Sequence, residues 1–246
     1  HLLNIRKNMS EECDNTKAKD IEAFCRCFIR RIGSPNRKSK RVELLRGDGK
    51  LNLLTSDWIK GALGTTALRK RPALASHEFK EVVNLNAKAA SEPLQKKVIG
   101  LSSALHDSLN ELSVVNNNSF TRLLFEFIEK LTQMAQAEGV LWSFGRSQKY
   151  FNILLKYCFA VSRAFPEKLD ASDNALIGRL EPFLHVPVDA VVLNFMQKRL
   201  KNTKLEKLYW GWNMNETSYL WVQDELRKLA KEADCSPITY ETTEIW

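Results

Sequence analysis

Gly145-Arg-Ser-Gln-Lys149-Tyr-Phe-Asn-Ile-Leu-Leu-Lys-Tyr-Cys-Phe159 is the stretch that decides the fold class of this chain. Phe151, Leu154, Leu155, Cys158 and Phe159 recur at three- and four-residue steps, the spacing that lines up side chains on one face of an α-helix. Ser147 is placed to cap a helix over 147–164, which puts Lys149 in its first turn. Outward from this segment the same period predicts helices over 17–32, 78–90, 93–112, 120–137, 172–180, 189–201 and 216–233. The only β candidate before the C-terminus is a hairpin at 44–54, where Gly47-Asp48-Gly49 separates two short apolar runs. The expected class is therefore all-α with one small β-hairpin.

Val114 to Ser119 breaks the helical pattern and ends in a good N-cap residue. That break predicts a basic N-terminal helical lobe over 1–115 and a second region over 116–246. The chain has 246 residues, 44% hydrophobic and 27% charged, a globular composition with ample sequence for a buried core. No run of about 18 apolar residues occurs, and the first 30 residues lack the pattern of a secretory signal. An intracellular protein of cytoplasm or nucleoid, monomeric and without a membrane partner, is expected. The five cysteines form no CxxC pair and the histidines are scattered, so no metal and no cofactor are expected.

Charge is distributed unevenly. The formal net charge is +8; residues 1–72 hold 17 Lys and Arg against 8 Asp and Glu, a net of +9, and the remainder holds 20 against 21, a net of −1. An excess confined to one third of the chain suggests a polyanionic partner. Its densest piece is the loop around Arg37, Lys38, Lys40 and Arg41, where Gly33, Ser34, Pro35 and Asn36 supply turn residues and the four cations are phosphate-contact candidates.

Two segments offer reactive groups. Lys149, partly buried beside Tyr150 and Phe151, carries an amine that is a nucleophile when neutral. Asp189 follows Val186-Pro-Val and precedes the apolar-striped helix Ala190 to Arg199. As N-cap it accepts hydrogen bonds from the next backbone amides; the same placement gives a rigid carboxylate that stabilises a cation in front of it. Snorkelling of Lys149 and simple capping by Asp189 are the structural alternatives.

Together, Gly145-Arg-Ser-Gln-Lys149 and His185-Val-Pro-Val-Asp189 resemble the helix-hairpin-helix DNA glycosylase superfamily. The chain looks like a divergent member, with Ser147 where many members carry a second hairpin glycine and an inserted helix between Glu167 and Leu184. The resemblance implies two helical lobes with a lesion pocket in the cleft, Asp189 as the catalytic aspartate and Lys149 as the Schiff-base lysine. It implies double-stranded DNA as partner, with Gly145, Arg146 and Ser147 on the backbone, and excision of a damaged or modified base that has left the stack. Trp142, Phe144, His185, Tyr209, Trp210 and Trp212 are the base-pocket candidates.

Two rivals compete. Arg179 and His185 have a spacing that resembles the HEPN ribonucleases, in which an Arg and a His act on an RNA phosphodiester. Alternatively the chain is a helical DNA-binding or adaptor protein in which Asp189 only caps a helix. The terminal stretch Thr239 to Trp246 is placed to fold back onto a lobe.

Overall fold

A computed structural model describes residues 92–112, 114–140, 142–201, 205, 208–211 and 213–245. Within these the protein is all α, with no strand. The hairpin expected at 44–54, the helices expected at 17–32 and 78–90, Arg37, Lys38, Lys40, Arg41 and Trp212 lie outside the described residues. No described helix is long and apolar enough to cross a membrane.

The helices are α1 (Glu92–Glu111), α2 (Asn117–Ala137), α3 (Phe144–Ala164), α4 (Ala171–Leu180), α5 (Ala190–Leu200), α6 (Glu216–Glu232) and the single turn α7 (Pro237–Tyr240). Short 3₁₀ turns at Pro166–Lys168 and Glu181–Phe183 flank α4, and a π-turn at Glu241–Ile245 follows α7. Each start has a local chemical cause. Asn116 caps α2 by accepting from the Ser119 amide while the Ser119 hydroxyl accepts from the Asn116 amide, so Ser119 is the third residue of a capping box and not the cap. Asn215 and Ser218 repeat the device at α6.

The turn from α2 to α3 passes through Gly139 at φ +71°, a left-handed conformation that suits glycine. Ser143 then caps α3, accepting from the Arg146 amide. This corrects the expected start at Ser147: the helix begins at Phe144, and Lys149 lies in its second turn. Ser147 is buried inside the helix, where its hydroxyl shares hydrogen bonds with Thr132 Oγ1 (2.7 Å) and Trp142 Nε1 (2.8 Å). Ser143 won the cap because it stands at the end of an extended segment, where a cap residue needs non-helical φ/ψ.

The helix α3 has almost no solvent face. From Gly145 to Val161 every residue is buried. Its apolar sides (Tyr150, Phe151, Leu154, Tyr157, Phe159, Val161) join Leu94, Val98 and Leu105 of α1, Phe120, Leu124 and Phe127 of α2, and Leu176 and Ile177 of α4 in one core. The helix α1, assigned by sequence to the 1–115 lobe, therefore shares its core with the C-terminal region. A second cluster gathers Val186 and Val188 with Val192, Leu193 and Met196 of α5, Trp210, and Tyr219, Val222 and Leu226 of α6.

Gly145, Gln148, Lys149, Asn152 and Lys156 fall on one stripe of α3 at 3.6 residues per turn, and this polar stripe meets the elements of the second cluster. The last contact in the row is an ion pair between Lys156 and Glu241 of the π-turn, both buried. It ties the C-terminus to the middle of the fold, so the terminal stretch does fold back. Ile238 enters the first core and Tyr240 the second.

At the head of the stripe, Gly145 lies so close to the 208–211 turn that a Cβ there would stand 1.6 Å from the Trp210 carbonyl oxygen. Gly145→Ala must displace backbone, and we expect a loss of about 1–3 kcal/mol. For a domain of this size that lowers Tm by roughly 2–4 °C per kcal/mol. Gly100, in α1, has nothing within 4 Å of the same added atom. Gly100→Ala should raise stability by about 0.5–1 kcal/mol through helix propensity alone. Paired thermal melts of the two variants check both signs.

Candidate functional site

The segment 184–189 between the 3₁₀ turn Glu181–Phe183 and α5 is neither helix nor strand, yet Leu184 to Asp189 are all buried. Its backbone groups therefore need partners inside the protein. Two glutamines supply them. The Gln223 amide accepts from the Val186 N–H at 2.9 Å and donates to the Val186 carbonyl at 2.8 Å. The Gln148 amide accepts from the Val188 N–H at 3.3 Å and donates to the Val188 carbonyl at 2.7 Å. Pro187 between them has no N–H to satisfy. The Val-Pro-Val sequence thus presents two donors, and each is met by one side-chain amide acting as a surrogate strand.

Asp189 ends this segment as the N-cap of α5. Its Oδ1 accepts from the amides of Val191 (2.9 Å) and Val192 (3.2 Å), as the sequence predicts for a cap. Its Oδ2 remains for Lys149, whose Nζ stands 3.1 Å away across 40 residues of sequence. The same Nζ lies 4.4 Å from the centre of the Trp210 ring, a cation–π contact on its other side. Each side chain of the pair keeps 11% of its surface exposed. The amine and the carboxylate are thus in direct contact and largely enclosed.

The other predicted site residues are placed differently. Gly145 is packed against the Trp210 carbonyl, and Arg146 and Ser147 are fully buried. The Arg146 guanidinium lies 5.7 Å from the Trp142 ring, and burial, opposed in part by Tyr209, draws it down to about 10. Phosphate contact by these three residues is corrected: they lie inside the start of α3, because the 208–211 turn covers it and Ser143 donates to the Gly211 carbonyl at 2.8 Å. Trp142 is buried, and Tyr209 stacks on Trp210 at 6.5 Å. Phe144, partly buried, meets Phe125 and Tyr219 edge-on. Of the base-pocket candidates among the described residues, only Phe144 lines a groove of about 960 Å³ between α2 and α6. Neither Lys149 nor Asp189 lines it.

His185 is at the centre of a network, not on a pocket wall. Its Nε2 accepts from Arg227 Nη2 at 2.7 Å and lies 3.1 Å from Thr121 Oγ1; its Nδ1 lies 2.8 Å from the Tyr219 hydroxyl. Because an arginine can only donate, Nε2 is the acceptor and Nδ1 carries the proton. The Tyr219 hydroxyl also receives Asn152 Nδ2 at 2.8 Å, and Asn152 in turn donates to Gln148. A buried chain thus runs from Arg227 to Val188. Arg179 is exposed, whereas His185 is buried and bonded to Arg227, Thr121 and Tyr219.

The sequence reading missed Gln148, Asn152, Tyr219, Gln223, Arg227, Lys156 and Glu241. The available signal was the polar run at positions 148, 149, 152 and 156 in an otherwise apolar helix, which amphipathic logic assigns to solvent. No cluster of three or more His, Cys, Asp or Glu among the described residues is arranged to hold a metal. Comparison of the chain with protein-family models, curated proteins and solved structures returns no match.

Burial, reinforced by the Arg227 charge, holds the His185 imidazole well below its ordinary value. The unfolded chain takes up this proton near about pH 6.5, whereas the folded chain resists it. Stability from this group is therefore complete above that pH and falls as the pH drops towards the folded value, with a slope of at most about 1.4 kcal/mol per pH unit. Chemical denaturation between pH 7.5 and 5 should show this decline, and His185→Gln should remove that component of the slope.

Proposed function

We propose that the protein is a DNA glycosylase acting on a damaged or modified base, with Asp189 as the essential carboxylate and Lys149 as the candidate nucleophile. The observation that carries this is the 3.1 Å contact between Lys149 Nζ and Asp189 Oδ2, two residues 40 positions apart that the resemblance requires to act together. A helix carrying the lysine after a tight interhelical turn, and an aspartate opening the next strong helix after Val-Pro-Val, match the order of parts the family uses. The net charge of +9 over residues 1–72 supplies affinity for a polyanion.

The chemistry follows from the pair. As the N-glycosidic bond breaks, its electron pair leaves with the base and positive charge builds on the sugar. The Asp189 carboxylate, immobilised by two backbone amides, stabilises that charge without reorganising. Water, or Lys149 once its ammonium has lost a proton, then bonds to the anomeric carbon, and the proton released goes to the departing base. The Trp210 ring lies 4.4 Å from Nζ and is, among the described residues, the aromatic face nearest the amine.

The burial of both side chains and the capping role of Asp189 favour one other reading, a non-enzymatic helical DNA-binding or adaptor protein in which the pair only ties α3 to α5. Activity separates the two. Incubating the full chain with a panel of modified DNAs, phage genomes included, should create alkali-labile abasic sites. Asp189→Asn keeps a capping oxygen and should lower base release by about 100-fold or more while DNA affinity holds. Borohydride should trap a covalent DNA adduct that is absent in Lys149→Gln if the amine attacks. Base release at the wild-type rate in Asp189→Asn overturns the assignment, and intact DNA throughout the panel leaves the binding protein.

A further inference from the structure

Beside the contact between Lys149 and Asp189 lies a second one that neither residue makes. Gln148 precedes Lys149 and grips both polar groups of Val188, which precedes Asp189. The two contacts form adjacent rungs with the same 40-residue offset: 148 to 188, then 149 to 189. Lysine carries a flexible stem, so its nitrogen goes where its partners hold it. The carboxylate is tied to the backbone after it by the Val191 and Val192 amides, and the backbone before it is tied by Gln148.

Gln148 is itself immobilised. It is fully buried; its Nε2 also donates to the Gly145 carbonyl at 2.9 Å, and its Oε1 also accepts from Asn152 Nδ2 at 3.1 Å. Asn152 is held by the Tyr219 hydroxyl, and Tyr219 by His185. Exchanging the amide nitrogen and oxygen would set like against like at Val188, at Gly145 and at Asn152 together, so only one orientation satisfies the site.

We propose that Gln148 is the positioning residue of the Lys149–Asp189 pair, locking Val188 so that the carboxylate of Asp189 stands at bonding distance from the amine. In its catalytic consequence this rests on the pair being the reactive centre of a glycosylase; in its geometric consequence it does not. Without the Gln148 amide, the Val188 N–H and carbonyl lose their partners in a buried segment, and residues 187–189 shift to find others. A displacement of about 1 Å is sufficient to cost roughly a hundredfold in rate at a preorganised site.

The test follows the lysine ammonium groups by ¹⁵Nζ–¹H correlation NMR on the full chain. A lysine held by a carboxylate away from water exchanges slowly and gives a resolved signal. Lys149 provides the report and Lys156, paired with Glu241 two turns along the same helix, the internal control. Gln148→Met keeps the length without the amide, and Gln148→Asn keeps the amide but falls short of Val188.

In both variants we expect the Lys149 signal to vanish, the Lys156 signal to persist, and base release to fall about a hundredfold or more at unchanged DNA affinity. Retention of the Lys149 signal with a rate within twofold of wild type overturns the proposal. So does joint loss of both signals in Gln148→Asn, which would make Gln148 a packing residue. If the wild type releases no base from any modified DNA while the Lys149 signal still depends on Gln148, the positioning role stands and the glycosylase assignment fails.

Discussion

The layout of this protein depends on α3 being buried on all sides. A helix with no wet face must find a protein partner for every polar side chain it carries, since an unsatisfied buried group costs about 1–3 kcal/mol. Along one stripe, Gly145 packs against the Trp210 carbonyl, and the four polar side chains after it reach three further pieces of chain: Gln148 and Lys149 meet Val188 and Asp189, Asn152 meets Tyr219, and Lys156 meets Glu241. The stripe thus decides where the 208–211 turn, the 184–189 segment, α6 and the C-terminus sit. The apolar sides of the helix only decide that it is central.

Such a stripe also explains why the 184–189 segment can be extended and buried without a sheet. Gln148 and Gln223 stand in for neighbouring strands, Pro187 removes the donor between them, and Asp189 closes the segment by capping α5. Its rigidity is then inherited by the pair: the amine, the carboxylate and the Trp210 ring are held by groups that are themselves held. That is the arrangement expected where geometry matters more than stability, because a buried ion pair contributes little net stability on its own.

Much of the fold was legible in the sequence. The helices α1, α2, α4, α5 and α6 lie within a few residues of the expected spans because each carries a 3.6-residue apolar period. Asp189 as cap was also readable, from residue type and its place before the apolar stripe of α5. Ser147 was misread because cap preference cannot tell Ser143 from Ser147 without backbone conformation; the helix starts where the chain is still extended. The glutamine clamps were invisible because Gln148 and Gln223 look like surface residues, and burial is a property of the whole packing. Arg146 failed as a phosphate contact for the same reason.

Under the proposed function the Lys149–Asp189 contact serves chemistry and does not hold the fold. The most direct test is the unfolding free energy of the double variant Lys149→Met/Asp189→Asn, in which the cap survives and the buried charges are gone. The double variant should be as stable as the wild type within about 1 kcal/mol, or more stable, since replacing both members of a buried pair is often neutral or favourable. A loss of roughly 3 kcal/mol or more would contradict this and make the pair a structural tie.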